Sequence, residues 1–220
     1  MDRYELLIAT RNPGKIEEMR EAFAILPLRL RTLNEFGKIS KVLEVGATYE
    51  ENATLKAIGY SRQTGITALA DDSGLEVDAL QGGPGVLSAH LGGNNLSDAE
   101  RTQSLLATLK DVLPPRRTAR FVCCMVLYGP VPSSHQELSE RKVLGVTQGV
   151  CGGSLALKAK GSGGFGFDPI FIPDGYDVPF ASLDPAIKRE ISHRARAAAL
   201  MRQQMEQQFT SNLTAGRTAS

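Results

Sequence analysis

A chain of 220 residues, 42% of them hydrophobic, is long enough to bury one well-packed domain with room for two lobes. Its formal net charge of +1 lacks the strongly basic footprint that nucleic-acid binding needs. No stretch approaches the length of a membrane span, and the start "MDRYELLIATRN" lacks signal-peptide architecture, so a cytoplasmic location is expected.

The first predicted element is a strand over Tyr4–Ala9. Asn12 suits a helix N-cap and Pro13 the first helical position. Ile16, Met19, Phe23 and Leu26 keep helical spacing until Pro27. A second strand is expected around Leu28–Thr32. Thr48 and Glu51 form a capping-box pattern for a helix that Gly65 stops. Asn52, Lys56 and Tyr60 share one face of that helix at i, i+4 spacing. "ITALA" (66–70) reads as a strand that "DDSG" breaks, and "LEVDAL" (75–80) resumes the pattern.

Ser97 and Glu100 box the start of another helix, expected to run to about Val112. "ARFVCCMVLY" (119–128) reads as a buried strand. Its adjacent Cys123 and Cys124, with the remote Cys151, match neither zinc spacing nor a disulfide framework. Buried, inert thiols are expected. A polar loop with Pro130, Pro132 and His135 follows, then a strand over 141–150 and the glycine-rich "GSGGFGFDPIFIP". Asp184 and Pro185 open a short helical turn. Ser192 caps a last helix to about Phe209, and residues 210–220 are expected to form a disordered tail beyond a domain spanning 1–209. The whole reads as α/β with a mixed sheet.

Four groups of residues carry candidate chemistry. In "ATRNPGK" a strand–turn–helix junction offers free N–H groups to an anion, with Thr10 and Asn12 as added donors. Lys15 stands where the helix dipole disfavours a cation, a cost that a bound anion offsets; the alternative is an exposed first-turn lysine. The P-loop pattern does not apply, because Ala9 and Ile16 stand where glycine and Ser/Thr are required. In "ALADDSGLEV" the adjacent Asp71 and Asp72 follow an apolar strand. They suit Mg²⁺ held together with substrate phosphates, or an Asx-turn with Gly74 at the bend. Glu44, ahead of Gly46, offers another carboxylate.

"GSGGFG" matches a dinucleotide fingerprint, but "FDPIFIP" follows where a helix must open. Phe165 with Asp168 could stack on a base and hydrogen-bond its edge; equally, Phe165 and Phe167 could be core aromatics. Lys188, His193 and Arg194 suit an ordinary solvated face. The last two, however, are cations at an unfavourable helix start, like Lys15, which suggests a shared anionic or electron-rich ligand.

"ATRNPGK", "EVGATYEENATLKA", "ADDSGLEVDAL", "GGPGVLSA", "GGFGFDPIF" and "ISHR", in this order over residues 8–194, resemble the inosine triphosphate pyrophosphatase family, also called dITP/XTP pyrophosphatases. The resemblance implies an elongated α/β fold with a nucleotide cleft between two lobes, a homodimer, Mg²⁺ dependence, and hydrolysis of non-standard purine nucleoside triphosphates to monophosphate and pyrophosphate. It implies that Thr10, Arg11, Asn12, Pro13, Gly14 and Lys15 form the triphosphate loop. Asp72 would be proton acceptor and metal ligand, Glu44 a second metal-site acid, and Ser73 a substrate contact. Phe165, Gly166, Phe167, Asp168, Lys188, His193 and Arg194 would read the base. His90 stands where many members have arginine after "LSA", and Phe167 where bacterial members often have tyrosine. Two rivals are a purine-nucleotide sensor without turnover and a pyrophosphatase for other modified nucleotides.

Overall fold

The computed structural model describes residues 4–93, 95–130 and 140–215. The expected loop residues Pro132 and His135, and the last residues of the tail, 216–220, lie outside these. A six-stranded sheet has the order β2-β1-β3-β4-β5-β6. Its strands are β1 (Tyr4–Ile8), β2 (Leu28–Thr32), β3 (Thr67–Val77), β4 (Thr118–Pro130), β5 (Arg141–Leu155) and β6 (Phe171–Pro173). β1 pairs in parallel with β2 and β3, and β5 pairs antiparallel with β6, so the sheet is mixed. The helices are α1 (Pro13–Phe23), α2 (Tyr49–Thr64), α3 (Asp98–Thr108), α4 (Pro185–Ile191) and α5 (His193–Ala215). Among the described residues no helix is long and apolar enough to cross a membrane.

Local signals set the helix starts. Asn12 caps α1 through its side chain, with Pro13 at the first position. Thr48 with Glu51 and Ser97 with Glu100 form reciprocal capping boxes on α2 and α3. Gly65 ends α2 at φ +81°, a left-handed conformation that costs glycine nothing.

The chain packs as two compact units: Met1–Asp72 with Cys124–Gln148 and Ala197–Ser220, and Ser73–Cys123 with Gly149–Arg196. In the first, Leu6, Leu7 and Ile8 of β1 are fully buried, as an inner parallel strand requires. Ala68, Leu69 and Ala70 of β3 and Ala197, Ala198 and Met201 of α5 are equally enclosed. The second has its own core, where Leu75, Leu105, Phe121, Phe171 and Phe180 meet.

Three expectations need correction. "DDSG" does not break the strand: β3 runs unbroken from Thr67 to Val77, so an Asx-turn is not formed. The carboxylates that made the stretch look like a turn are paired with lysines instead. α3 ends at Thr108, because the buried Arg117 guanidinium binds the carbonyls of Leu109 (2.6 Å) and Val112 (2.9 Å) just beyond it. α5 continues past Phe209 to Ala215, so much of the expected tail is helical. Cys123, Cys124 and Cys151 are free and buried; burial, first among the causes, pushes the thiols of Cys124 and Cys151 up to about 11.

Candidate active site

The β1–α1 turn is built as its residue types require. Thr10 Oγ1 accepts from the Asn12 N–H (3.2 Å), and Asn12 Oδ1 accepts from the Lys15 N–H (3.1 Å). The first turn of α1, Pro13, Gly14 and Lys15, contains no acidic residue to satisfy the dipole. Lys15 Nζ lies 2.9 Å from Asp71 Oδ2, a side chain with no exposed surface. Arg11 does not join this group; its guanidinium binds the Ile39 carbonyl at 2.8 Å.

Asp72, the next residue on β3, is 7% exposed and accepts from Lys56 Nζ at 2.9 Å. The same ammonium reaches Glu44 Oε2 at 2.5 Å, so one nitrogen draws two carboxylates together. Lys56 comes from the buried face of α2, and Asn52, one turn earlier, donates to Asp72 Oδ2 at 3.4 Å. Lys56 is the member of this group that the sequence did not single out. Its shared face with Asn52 and Tyr60 was legible, but periodicity does not say what a buried ammonium would meet.

Three carboxylates (Asp71, Asp72, Glu44) against two ammonium groups (Lys15, Lys56) leave one negative charge in excess. The carboxyls respond differently. Burial raises Asp72 above the ordinary aspartate value, and the charges of Lys56 and Lys15 offset this only in part. Burial also acts upward on Glu44, but Lys56 outweighs it and holds Glu44 below the usual range. Burial would lower Lys56; the charges of Asp72, Asp71 and Glu44 win and raise it. Among the described residues no three His, Cys, Asp or Glu side chains form a metal cage. Two convergent carboxylates with an unbalanced charge fit a Mg²⁺ ion whose other ligands are water and phosphate.

The second group belongs to the other unit. Asp168 is 2% exposed and accepts from the Phe165 N–H (2.8 Å) and from Lys188 Nζ. Gly164 is obligatory here: at φ +71° a Cβ would sit 2.0 Å from Asp168 Oδ2. Lys188 Nζ stands 4.6 Å from the centre of the Phe165 ring and Arg194 Cζ 5.6 Å from it. Arg194 donates to Ser73 Oγ at 2.9 Å, and the His193 ring stacks on Phe121 at 4.7 Å. Asp98 accepts from the Gly166 N–H (2.7 Å) and Thr102 donates to its carbonyl (3.3 Å), two supports that the sequence did not reveal. The structure thus gathers Phe165, Asp168, Lys188, Arg194 and Ser73. It places the Phe167 ring, 5% exposed, in the core with Phe121 and Phe171, so Phe165 is the aromatic of the two that can stack. His90 is exposed, and the neighbouring Ala89 carbonyl accepts from Arg101 (2.5 Å).

Comparison with known proteins adds an independent finding. The model of the Ham1 family matches residues 6–204. A dITP/XTP pyrophosphatase of Oceanobacillus iheyensis is 40% identical over 194 residues, 88% of this chain and 93% of the relative. Another from Nocardia farcinica is 41% identical over 202 residues, 90% of this chain and 92% of the relative. Of solved structures, a HAM1 protein from Coxiella burnetii is similar with a TM-score of 0.78 at 35% identity, covering 93% of this chain and 99% of that one. The Staphylococcus aureus Ham1 protein gives 0.77 at 37% identity, with coverage of 92% and 98%.

Proposed function

The chain belongs to the Ham1 family, and on that premise we propose that it hydrolyses non-standard purine nucleoside triphosphates (ITP, dITP and XTP) to the monophosphate and pyrophosphate. The observation that carries this reading is the group in which the buried Lys56 draws Glu44 and Asp72 together beside the Lys15–Asp71 pair.

Each residue then has a task. The α1 N-terminus and Lys15 attract phosphate, with Asn12 and Thr10 holding the turn in shape. Glu44 and Asp72 would hold Mg²⁺, which when bound supplies neutralisation of phosphate charge. Asp72, made more basic than an ordinary aspartate by burial, accepts a proton from the attacking water while the α–β anhydride opens and pyrophosphate leaves. Lys56 keeps the two carboxylates in register. Catalysis of this kind is mostly positioning and charge stabilisation.

The base is read by the second group. Phe165 stacks on the purine. Donors from His193, Arg194 or nearby backbone pair with a 6-oxo acceptor. Adenine presents a donor there and would leave them unsatisfied. Ser73, Asp168 and Lys188 keep this arrangement in place through the bonds described above. The protein acts, on this reading, as a cytoplasmic homodimer; light scattering checks its mass. The functional test is a panel of ITP, dITP, XTP, GTP and ATP with Mg²⁺ and identification of the products. Pyrophosphate and monophosphate from the first three, with ATP cleaved poorly, is the expected result. Comparable kcat/KM for ATP and ITP would refute the base assignment, and binding without pyrophosphate release would leave a nucleotide sensor.

A further inference from the structure

Glu44 lies in a segment, residues 39–46, that forms neither helix nor strand. Its neighbours Leu43 and Val45 are 71% and 79% exposed, so apolar burial does not pin the carboxylate where it is. What holds the segment is a row of polar contacts along one face of α2. At one end the Gln63 side-chain amide accepts from the Ser40 N–H (2.8 Å) and donates to the Ser40 carbonyl (3.2 Å). At the other, the Asn52 amide accepts from the Gly46 N–H (2.8 Å) and donates to the Gly46 carbonyl (3.3 Å). Both amides engage the two polar groups of one residue, as a neighbouring strand would.

Between these ends the Val42 N–H donates to Tyr60 Oη (3.4 Å), and Arg11 holds the Ile39 carbonyl. Gly59 completes the surface. A Cβ there would lie 2.6 Å from Val42 Cγ2, so a glycine that weakens the helix by about 1 kcal/mol relative to alanine gives the segment its seat. Asn52, Gly59, Tyr60 and Gln63 recur on the face that carries Lys56. The face that buries the ammonium therefore also aligns the segment that brings Glu44 to it.

We propose that Asn52 and Gln63 are positioning residues for the reaction, acting through Glu44: their paired amide latches fix the 39–46 segment and so set the spacing of Glu44 from Asp72. The inference rests on the assignment of Glu44 and Asp72 to the metal-assisted step. Gln63 carries the sharper part of it, because it is an exposed residue on the last turn of α2 and a surface substitution there would ordinarily be silent.

The test uses Asn52→Ala, Gln63→Ala and Gly59→Ala in the full chain, alone and combined with Glu44→Gln. In the metal-free protein, amide exchange at Ser40 should accelerate about tenfold in Gln63→Ala, and at Gly46 in Asn52→Ala, while the β1 amides stay protected. With Mg²⁺ and ITP, kcat/KM should fall about threefold in Gln63→Ala and about tenfold in Asn52→Ala, with the half-saturating Mg²⁺ concentration raised in both. Gly59→Ala should raise the melting temperature or leave it unchanged, yet lose activity, two signs that a purely structural role would not combine. In the Glu44→Gln background Gln63→Ala and Gly59→Ala should cost less than twofold more, because they act through the group already removed, whereas Asn52→Ala keeps the part of its cost that comes from its bond to Asp72. Full additivity of Gln63→Ala in that background, or parental kcat/KM and Mg²⁺ dependence in Gln63→Ala despite faster exchange at Ser40, would overturn the proposal. Parental activity in Glu44→Gln alone would overturn the underlying assignment, and the latch proposal with it.

Discussion

Replacing Lys15 by alanine separates two physical pictures by the sign of its effect. An exposed lysine in the first turn of a helix opposes the macrodipole, and its removal should leave stability unchanged or raise it by a few tenths of a kcal/mol. The structure places Lys15 otherwise. Its ammonium, on a side chain only 15% exposed, is 2.9 Å from an Asp71 carboxylate that has no exposed surface. Breaking such a pair by deleting one partner leaves a buried charge without its counterion and costs ~3–5 kcal/mol, far more than the dipole term returns. For a chain of this length each kcal/mol corresponds to roughly 2–4 °C, so Lys15→Ala should lower the melting temperature by about 6–20 °C. Replacing Asp71 by asparagine in the Lys15→Ala background should restore a large part of the loss. Scanning calorimetry of the single and double variants reads both expectations. An unchanged or raised melting temperature in Lys15→Ala would refute the reasoning and return Lys15 to an ordinary helix-end lysine. Lys15→Ala should also lose much of the stabilisation that ITP gives the parent, since that shift tracks affinity.

Asp72→Asn should keep the fold and lose at least ~10²-fold in turnover, measured as pyrophosphate release; near-normal activity, or full activity in excess chelator, would contradict the metal and base assignments. Burial raises the Asp72 carboxyl above the ordinary aspartate range in the metal-free protein, so the half-saturating Mg²⁺ concentration should rise as pH falls into that range, where a proton competes with the ion. His193→Ala or Arg194→Ala should erode the ITP/ATP ratio of kcat/KM more than Lys15→Ala does, a comparison in which a shared loss of stability cancels. With Cys124 and Cys151 pushed up to about 11 and buried, thiol reagents at pH 8 should label the native protein slowly and all three cysteines rapidly after unfolding. Fast labelling of the folded protein would contradict that packing.

The helix boundaries depend on near neighbours along the chain. Asn12, Thr48 and Ser97 satisfy orphan N–H groups two or three residues away, and Gly65 needs only its own backbone freedom, so each helix start and the end of α2 were legible from residue types alone. Lys15, His193 and Arg194, cations at helix starts, and the adjacent Asp71 and Asp72 were legible too, because they conflict with local preference; Glu44 was marked only by the family resemblance. Tertiary structure decided what those conflicts meant. Asp71 and Asp72 read as a turn until lysines from α1 and α2 meet them, and with the charge paired the strand runs through. Phe165 and Phe167 have the same residue type and near-identical neighbours; only packing against Phe121 and Phe171 sends one into the core and leaves the other beside Lys188. Lys56 shows the difference most plainly. Its spacing fixes the helix face it occupies, but an ammonium can be buried only where carboxylates distant in sequence, Glu44 and Asp72, come to meet it.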